Sequence, residues 1–384
     1  MVNICFISAQ YLPNMGGVEN YTYNLAKQLT KLGIHVTIIS MNNNNVLNFE
    51  CNENIEVYRL PCFNLMNGRF PVPKFSSQYR KLRKQIDFNK FDFFIINTRF
   101  YILSLMGTYW STKYKKRSIL IEHGTQHLTM GSKGIDSIIA CYEHVITWLI
   151  RLIFHGNYYG VSKACNEWSE HFKIKATGVL YNSVDIERIN EIINSNNHTF
   201  RKKHQIPNDA KVISFTGRLM EEKGILNLVD AFKVVNKEFP NTYLYIAGAG
   251  DLDKRILALN HPNIIYLGRI TFEEVITFLN ESDIFCLPSR SEGLPTSVLE
   301  AVACKNFIIT TKQGGAKELI KSKEYGIILD DNETSKIVNS LKYVLNNFEY
   351  MNSAIELSYT DLINNFSWKS TANKLKSIID DESA

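Results

Sequence analysis

The sequence predicts an α/β protein made of two doubly wound domains, and three observations support this. Short β-rich runs alternate with longer stretches of helical apolar spacing along the whole chain. The alternation starts again after residue 205, and a chain of 384 residues is long enough for two cores. A composition with 45% hydrophobic and 21% charged residues excludes a disordered or fibrous chain.

The first half predicts the strands and helices of one domain. VNICFISA has no basic leader before it and is typical of a first strand, and the following GVENYTYNLAKQLTKLG has the apolar spacing of a helix. The other predicted strands of this half are HVTIIS, FDFFIIN, RSILIEH and YYGVS. The apolar stretch 138–154 is interrupted by Glu143, His144 and Arg151, so we expect a buried or partly interfacial helix and no membrane span.

The second half repeats the pattern with the strands KVISFTG, TYLYIAG, NIIYLG, DIFCLPS, NFIITT and GIILD. We therefore predict an N-terminal domain at 1–181, a polar linker at 182–204 and a C-terminal domain at 205–365. The amphipathic segment 366–384 predicts a last helix that packs back on the N-terminal domain.

Charge is distributed unevenly between the halves. Residues 1–180 carry 20 basic and 11 acidic side chains, a net +9, whereas residues 181–384 carry 23 and 27, a net −4. The first half is therefore expected to meet something anionic. Seven cysteines, an odd number without a Cys-x-x-Cys pair, indicate free thiols in a reducing compartment and hence a cytoplasmic protein.

Two of the predicted strands in the second half end in residues suited to binding phosphate. KVISFTGRLMEEKG places Gly217, Arg218 and Lys223 after a strand, where a guanidinium and an ammonium can converge on a diphosphate. Taken alone, a solvated loop with salt-bridged side chains explains them better. YIAGAGD places Gly248 after the next strand, either for close approach to a ligand or for a tight turn.

The stretch SEGLPTSVLEA puts Glu292 before a helix that begins around Pro295 and Glu300 one turn inside it. The free amides of such a helix start favour negative charge, and ionised carboxylates accept hydrogen bonds from paired sugar hydroxyls. The alternative is an acidic first turn that complements the helix dipole.

The first half offers weaker candidates. Gly16 and Gly17 precede a helix but lack the full Gly-x-Gly-x-x-Gly spacing, so they support a flexible pair beside a cleft better than a dinucleotide site. His123 and His127 follow another strand, where His123 is well placed to face a ligand. As a metal pair they lack an evident third ligand, so no metal site is predicted.

As a set, these motifs resemble the retaining family-4 glycosyltransferases of the GT-B fold, in which two facing Rossmann-like domains enclose the site. The resemblance covers most of the chain through GGVE, HG, VS, YNSVD, GRLMEEKG, GAGD and SEGLPTSVLEA. Its most specific part is the Glu-x7-Glu spacing together with Arg218 and Lys223.

The resemblance implies a role for each candidate. Arg218 and Lys223 would hold the diphosphate of the sugar donor, and Glu300 would accept the ribose hydroxyls. The donor sugar would be held by Glu292 with the amides of Gly293, Leu294, Pro295 and Thr296. His123 would contact that sugar near the reacting carbon. The remaining donor-site residues would be Gly16, Gly17, Gly217, Gly248 and Arg269, the last near the nucleotide base.

The expected activity is retaining, metal-independent transfer of a hexose-type sugar from a UDP- or GDP-linked donor, without a further cofactor. The acceptor would be a hydroxyl of a glycan or of a lipid-pyrophosphate-linked glycan, in polysaccharide, lipopolysaccharide or capsule assembly. A nucleotide-sugar 2-epimerase and a catalytically silent nucleotide-binding subunit stay open as alternatives. Because both glutamates belong to one helix start with cationic companions, a glycoside hydrolase is disfavoured.

The basic stretches 69–84 and 113–117 carry interleaved aromatic residues. A solvated face of the first domain accounts for them, and the sharper hypothesis is peripheral contact with anionic membrane. No nucleic-acid motif accompanies the charge, so no nucleic-acid partner is expected.

Overall fold

The computed structural model describes residues 2–14, 16–129, 133–195, 200–290, 292 and 294–381. The chain divides into two compact units. The first comprises Met1–Asn182 together with Trp368–Ala384, and the second comprises Ser183–Ser367. Each unit contains one mainly parallel sheet packed against helices, which is the α/β organisation predicted from the sequence.

The strands of the first unit are β1 (Asn3–Ile7), β2 (His35–Asn42), β3 (Phe49–Asn52), β4 (Ile55–Leu65), β5 (Phe70–Pro73), β6 (Phe93–Asn97), β7 (Arg117–Glu122), β8 (Asn157–Gly160) and β9 (Gly178–Val179). Within the described residues they form one sheet in the order β3-β4-β2-β1-β6-β7-β8-β9, with β5 paired to β4. Only the pairings of β3 and β5 with β4 are antiparallel. The parallel order reverses direction between β1 and β6.

The helices of the first unit before residue 182 are α1 (Gly17–Lys31), α2 (Ser77–Gln85), α3 (Ile102–Lys113), α4 (Lys133–Ile153) and α5 (Lys163–Glu170). Because side chains alternate along a strand, β1 contributes to two hydrophobic layers. Ile4 and Phe6 enter one core, whereas Cys5 and Ile7 enter another on the opposite side. Burial on both faces explains why this strand reads as a continuous apolar run.

The second unit has the strands β10 (Lys211–Thr216), β11 (Thr242–Ala247), β12 (Ile264–Gly268), β13 (Ile284–Leu287), β14 (Phe307–Thr311) and β15 (Ile327–Leu329). Their order is β12-β11-β10-β13-β14-β15 and every pairing is parallel. This is the 3-2-1-4-5-6 order of a Rossmann-like sheet. Ligands bind in such sheets at the carboxyl edge where the order reverses, here between β10 and β13.

Helices α6 to α14 lie in the second unit. They are α6 (Ile186–Asn194), α7 (Phe200–Lys203), α8 (Ile225–Glu238), α9 (Asp253–Leu257), α10 (Phe272–Asn280), α11 (Thr296–Ala303), α12 (Ala316–Leu319), α13 (Thr334–Leu345) and α14 (Phe348–Asn365). Three short 3-10 helices, two in the first unit and one in the second, span Met66–Gly68, Phe88–Lys90 and Glu221–Lys223.

The segment 182–204 differs from the linker expected from the sequence, because from Ser183 onwards it belongs to the second unit and contains α6 and α7. Ile189 and Phe200 are buried, and the Phe200 amide donates to the Glu281 carboxylate across 3.2 Å. Because the segment is mostly polar, its sequence did not indicate that these two apolar residues would be buried in the second unit.

The last helix, α15 (Trp368–Asp380), belongs to the first unit. Trp368 and Leu375 are buried in the same core as Tyr21 of α1. At the other end of α15, Arg117 donates hydrogen bonds to the carbonyl oxygens of Ile378 and Ile379, at 3.0 and 2.9 Å. One cation of the basic stretch 113–117 therefore serves to close a helix end.

Helix α4 contains the long apolar stretch of the sequence. Ile139, Ile146 and Ile150 are buried, whereas the apolar residues of its other face are exposed, namely Ile135, Ile138, Val145, Trp148 and Leu152. Among the helices of the described residues, none has both the length and the apolar character to cross a bilayer.

Candidate functional site

The loops that follow β10 and β13 meet at the point of order reversal in the second unit. The Glu222 carbonyl oxygen accepts from the Arg290 amide at 2.7 Å and from the Ser289 hydroxyl at 3.2 Å. Gly224 has φ +69°, and a Cβ atom there would lie 2.1 Å from the Pro288 carbonyl oxygen. Only glycine lets these two loop backbones approach so closely.

This contact brings two of the predicted site residues together. Lys223 Nζ lies 2.6 Å from Glu292 Oε1, and the two side chains are only 17% and 11% exposed. A charge-assisted hydrogen bond in such a part-buried setting holds the ammonium in one orientation. The predicted phosphate ligand and the predicted sugar ligand are therefore direct neighbours, 69 residues apart in sequence.

Arg218 is exposed in the same loop, and no ion pair to its guanidinium is found in the part of the chain that the structure describes. It lies one residue after Gly217, whose φ is +155°. A Cβ atom on Gly248 would lie 1.8 Å from the Gly217 carbonyl oxygen, so the loops after β10 and β11 also touch. These loops present a cation at the carboxyl edge of the sheet.

Helix α11 begins beside Glu292. No described side chain caps its N-terminus, which leaves the positive end of the helix dipole open. Leu294 and Pro295 are buried and Thr296 is exposed, while Gly293 lies outside the described residues. Arg269 is exposed after β12, two strands from β10, and among the described residues it makes no contact with the Lys223–Glu292 pair.

Glu300 lies in the second turn of α11 and has an unusual electrostatic setting. Burial raises the pKa of its carboxyl to about 7. Among the described residues, no hydrogen bond and no neighbouring charge contributes to this shift, which desolvation alone accounts for. A desolvated carboxyl without donors can take up two hydroxyl groups from a ligand, which is what a ribose offers.

His123 follows β7 in the first unit. Its Nε2 lies 3.0 Å from Asn97 Oδ1, and its ring meets that of Tyr21 edge to face at 4.8 Å. Burial lowers the pKa of His123 to about 3, so the ring is neutral. Asn97 Nδ2 donates to Thr22, which assigns its oxygen as the acceptor and places the His123 proton on Nε2. The other nitrogen, Nδ1, is then an acceptor for a ligand hydroxyl.

Gly16 and Gly17 stand in different surroundings. A Cβ atom on Gly16 would lie 2.3 Å from Glu19 Oε2, whereas a Cβ atom on Gly17 would meet nothing within 4 Å. Burial raises the pKa of the Glu19 carboxyl. Glu19 belongs to the GGVE motif, but the sequence did not mark it as a site residue.

An open cavity of about 470 Å³ lies next to Glu19 in the first unit. Its wall combines carboxamides with one carboxylate and one guanidinium, contributed by Gln10, Asn14, Gly16, Glu19, Asn43, Asn44, Asn64, Gly68 and Arg69. The amides are ordered by one another, since Asn14 donates to Asn43 at 2.9 Å and Asn44 donates to Asn14 at 2.8 Å. Such a surface suits a ligand with many hydroxyl groups.

A buried ionic network holds the loop that carries His123. The Arg99 guanidinium lies 3.4 Å from both Glu122 and Glu143 and stacks on Phe172 at 3.6 Å. Glu122 in turn accepts from the His123 amide at 2.9 Å. Sequence reasoning missed this network, because its members come from three distant segments and from no recognisable motif.

His127 does not pair with His123. It lies beside two histidines from other elements, His144 of α4 and His171 at the end of α5. Glu143 Oε2 accepts from His127 Nδ1 across 2.9 Å. Of the pair considered from the sequence only His127 belongs to this cluster, and the fold brings two further imidazoles to it.

Comparison with known families gives two adjoining matches. Residues 15–188 match Glycosyltransferase Family 4, and residues 196–361 match Glycosyl transferases group 1. Together the two regions include every site residue predicted from the sequence.

Relatives extend this finding. An uncharacterized glycosyltransferase of Methanocaldococcus jannaschii is 26% identical over 99% of this chain and 98% of its own length. The capsular polysaccharide biosynthesis glycosyltransferase CapM of Staphylococcus aureus is 27% identical over 39% of this chain and 41% of its own. A GDP-mannose-dependent monoacylated alpha-(1-6)-phosphatidylinositol monomannoside mannosyltransferase of Corynebacterium glutamicum is 29% identical over 41% and 44%.

Solved structures resemble the whole chain. Sucrose-phosphate synthase of Thermosynechococcus elongatus superposes with a TM-score of 0.72 and 15% identity, covering 98% of both chains. Anabaena HepE in complex with UDP-glucose gives 0.71 and 15%, covering 99% of both. At this identity the likeness shows the fold alone, and it confirms the GT-B fold with two Rossmann-like domains.

Proposed function

Because the chain belongs to the glycosyltransferases whose two regions match Glycosyltransferase Family 4 and Glycosyl transferases group 1, we propose that it is a retaining hexosyltransferase. In this proposal it moves a sugar from a nucleoside diphosphate to a hydroxyl group of a glycan or lipid-linked glycan. The observation that supports it best is the contact between Lys223 and Glu292 at the order reversal of the second sheet.

The proposed chemistry follows from the charges of that edge. As the bond between the sugar carbon and the diphosphate oxygen breaks, positive charge develops on the sugar and negative charge on the diphosphate. Arg218, Lys223 and the open end of α11 stabilise the departing diphosphate, and they do so more in the transition state than in the ground state. The acceptor oxygen attacks from the side that the diphosphate leaves, which retains the configuration.

Proton transfer needs no separate base in this scheme. The acceptor hydroxyl gives its proton to an oxygen of the departing diphosphate as the new glycosidic bond forms. Glu292 holds a hydroxyl group of the donor sugar, and the neutral ring of His123 can accept a hydrogen bond from a sugar hydroxyl group through Nδ1. Because two cationic side chains and a helix end meet the diphosphate, we propose that this step requires no divalent metal ion.

The acceptor is proposed to bind in the amide-lined cavity of the first unit. Carboxamides offer both donors and acceptors, which matches sugar hydroxyl groups better than an apolar pocket does. Glu19 and Arg69 add one charge of each sign. The wall therefore favours a polar glycan end over a lipid chain at this place.

The donor is proposed to be a UDP- or GDP-linked hexose. Anabaena HepE is described with bound UDP-glucose, and the Corynebacterium relative is named for GDP-mannose. The Staphylococcus relative is named for capsular polysaccharide biosynthesis, which supports a role in cell-surface polysaccharide or glycolipid assembly on the cytoplasmic side.

Thermal shift with a set of UDP- and GDP-sugars identifies the donor, because a ligand that binds the folded state raises the melting temperature. With that donor and a glycan acceptor, we expect release of nucleoside diphosphate only in the presence of acceptor, and NMR of the product should show a retained anomeric configuration. Lys223→Ala should lose at least about a hundredfold in kcat, whereas Lys254→Ala, an exposed lysine of α9, should not change it. Equal kcat in both variants contradicts the proposal.

Peripheral membrane contact through residues 69–84 and 113–117 is part of the proposal. Lys81 and Lys84 are exposed on α2, and exposed apolar side chains of α4 belong to the same unit. We expect the protein to sediment with anionic vesicles at low salt and to do so less after Lys81→Ala and Lys84→Ala. The same double change at Lys202 and Lys203 of α7 is the control. Failure of the wild type to bind such vesicles contradicts this part.

A further inference from the structure

Three histidines gather in the first unit, apart from the residues proposed to hold the donor. His127 lies in the loop after β7, His144 lies in α4, and His171 closes the end of α5. One ring nitrogen from each lies within 4.8 Å of the other two. The fold thus collects three potential metal ligands from segments that are distant in sequence.

The spacing of the nitrogens agrees with metal binding. Two imidazole nitrogens bound at about 2.0–2.1 Å to one tetrahedral ion lie roughly 3.3 Å apart. His144 Nε2 and His171 Nε2 are 3.3 Å apart. A closing movement of about 1.5 Å brings the third nitrogen to the same separation.

The surroundings orient the ligands. Glu143 is buried and accepts a hydrogen bond from His127 Nδ1 at 2.9 Å, which leaves Nε2 of His127 as the nitrogen that can bind an ion. Glu143 is itself held by the Leu128 amide at 3.0 Å and by Arg99. A carboxylate behind a ligating imidazole fixes its tautomer and strengthens it as a ligand.

Aromatic side chains pack against the histidine cluster, and solvent can reach it. Trp168 stacks on the His171 ring at a centroid distance of 4.9 Å and an angle of 7°, and Phe172 packs edge-on against the same ring. His144 and His171 are exposed on their outer side. An ion can therefore enter from solvent while the aromatic side chains restrict ring movement.

We propose that His127, His144 and His171 form a binding site for a divalent transition-metal ion of the zinc class, with a water molecule in the fourth position. Three imidazole ligands suit zinc and its neighbours in the series better than calcium or magnesium, which prefer oxygen. The bound ion links the loop that carries His123 to α4 and α5. Its role is to order that loop, and it is separate from the diphosphate chemistry.

The competing explanation is a hydrogen bond between two neutral imidazoles, which produces the same 3.3 Å separation without any ion. The two explanations differ in what zinc does to the protein. Untagged protein treated with a chelator and dialysed is titrated with zinc chloride by calorimetry and by thermal shift, and with cobalt chloride by visible absorption.

We expect one zinc ion per chain, a higher melting temperature and a cobalt spectrum typical of tetrahedral coordination. The double variant His144→Ala with His171→Ala should bind zinc at least tenfold more weakly, whereas His155→Ala, an exposed histidine after α4, should bind as the wild type does. Circular dichroism without metal confirms that the variants are folded. The proposal is overturned when the wild type binds no zinc, or when the double variant binds it as tightly as His155→Ala. Neither result depends on transferase activity, so both leave the proposed function untouched.

Discussion

Replacing Glu300 with glutamine tests the electrostatics of the second unit. Burial raises the pKa of this carboxyl from its ordinary 4.5 to about 7, so the folded chain keeps a proton that the unfolded chain has already lost. Between these two pH values the folded state binds more protons, and its stability therefore falls as pH rises from about 4.5 to 7. Above pH 7 the loss is complete.

The size of the effect follows from the shift. A pKa raised from 4.5 to about 7, at about 1.4 kcal/mol per unit, corresponds to roughly 3.5 kcal/mol at most. Glutamine has nearly the same shape and no charge, so Glu300→Gln should raise the free energy of unfolding at pH 8 by up to that amount. At pH 4 the two proteins should be nearly equal, since both side chains are then neutral.

Urea denaturation of both proteins at pH 4 and pH 8 measures this difference. Glu349→Gln, which changes an exposed glutamate in the first turn of α14, should shift stability by less than about 0.5 kcal/mol at either pH. Glu300→Gln should also weaken nucleotide binding, because a neutral amide is a weaker acceptor for ribose hydroxyl groups than a carboxylate. A Glu300→Gln protein that is no more stable than the wild type at pH 8 refutes the reasoning.

Four further predictions address single sites. Gly17→Ala should leave the melting temperature unchanged, since its Cβ meets nothing within 4 Å, but lower kcat/KM at least tenfold because the neighbouring Gly16 lines the proposed acceptor cavity. Gly248→Ala should lose more than about 3 kcal/mol in urea denaturation, because φ is +135° and the new Cβ would meet a carbonyl oxygen at 1.8 Å. Arg99→Ala should lose about 3–5 kcal/mol in the same assay, since it leaves two buried carboxylates without their cation. The contribution of His123 to stability should be lost as pH falls from about 6.5 to 3, where the unfolded chain protonates this ring and the folded chain does not. Measured by urea denaturation at pH 7 and pH 4, the change in the free energy of unfolding should therefore be more favourable to low pH in His123→Gln than in the wild type.

The fold was predictable because its strands are buried on both faces and separated by helices of clear apolar periodicity. Runs such as KVISFT and DIFCL reveal their strands directly, and parallel pairing follows from the alternation with helices. The order of the strands in the sheet was not predictable, because no local sequence pattern indicates that β13 lies beside β10. The direct contact of Lys223 with Glu292 depends on that order, so sequence reasoning found both residues without finding their bond.

The residues that sequence reasoning missed share a physical cause. Asn97, Glu143 and His171 act through partners far away in the chain, and Asn97 and His171 look unremarkable among their sequence neighbours. Burying a polar group without a hydrogen-bond partner costs free energy, so a polar residue in an apolar segment indicates a partner elsewhere in the chain. The sequence offered two such signals, an asparagine at the end of a buried strand and a glutamate inside an apolar helix. Glu143 did stand out, as an interruption of the apolar stretch, but its purpose depends on where Arg99 lies.

The bond between Lys223 and Glu292 bears on how a diphosphate can be held. An ammonium has three donors, and one of them is directed at Glu292 across 2.6 Å. The remaining donors point away from that carboxylate, so the pair orients the lysine for a phosphate oxygen while lowering its net charge. Pairing with Glu292 weakens the attraction of Lys223 for the diphosphate. Arg218 and the open end of α11, which lie at the same edge of the sheet, must therefore supply the remaining attraction. Glu292 thus has two proposed tasks, which are to hold the sugar and to orient the lysine. Glu292→Gln keeps the first and weakens the second. This variant should therefore lower kcat more than it raises KM.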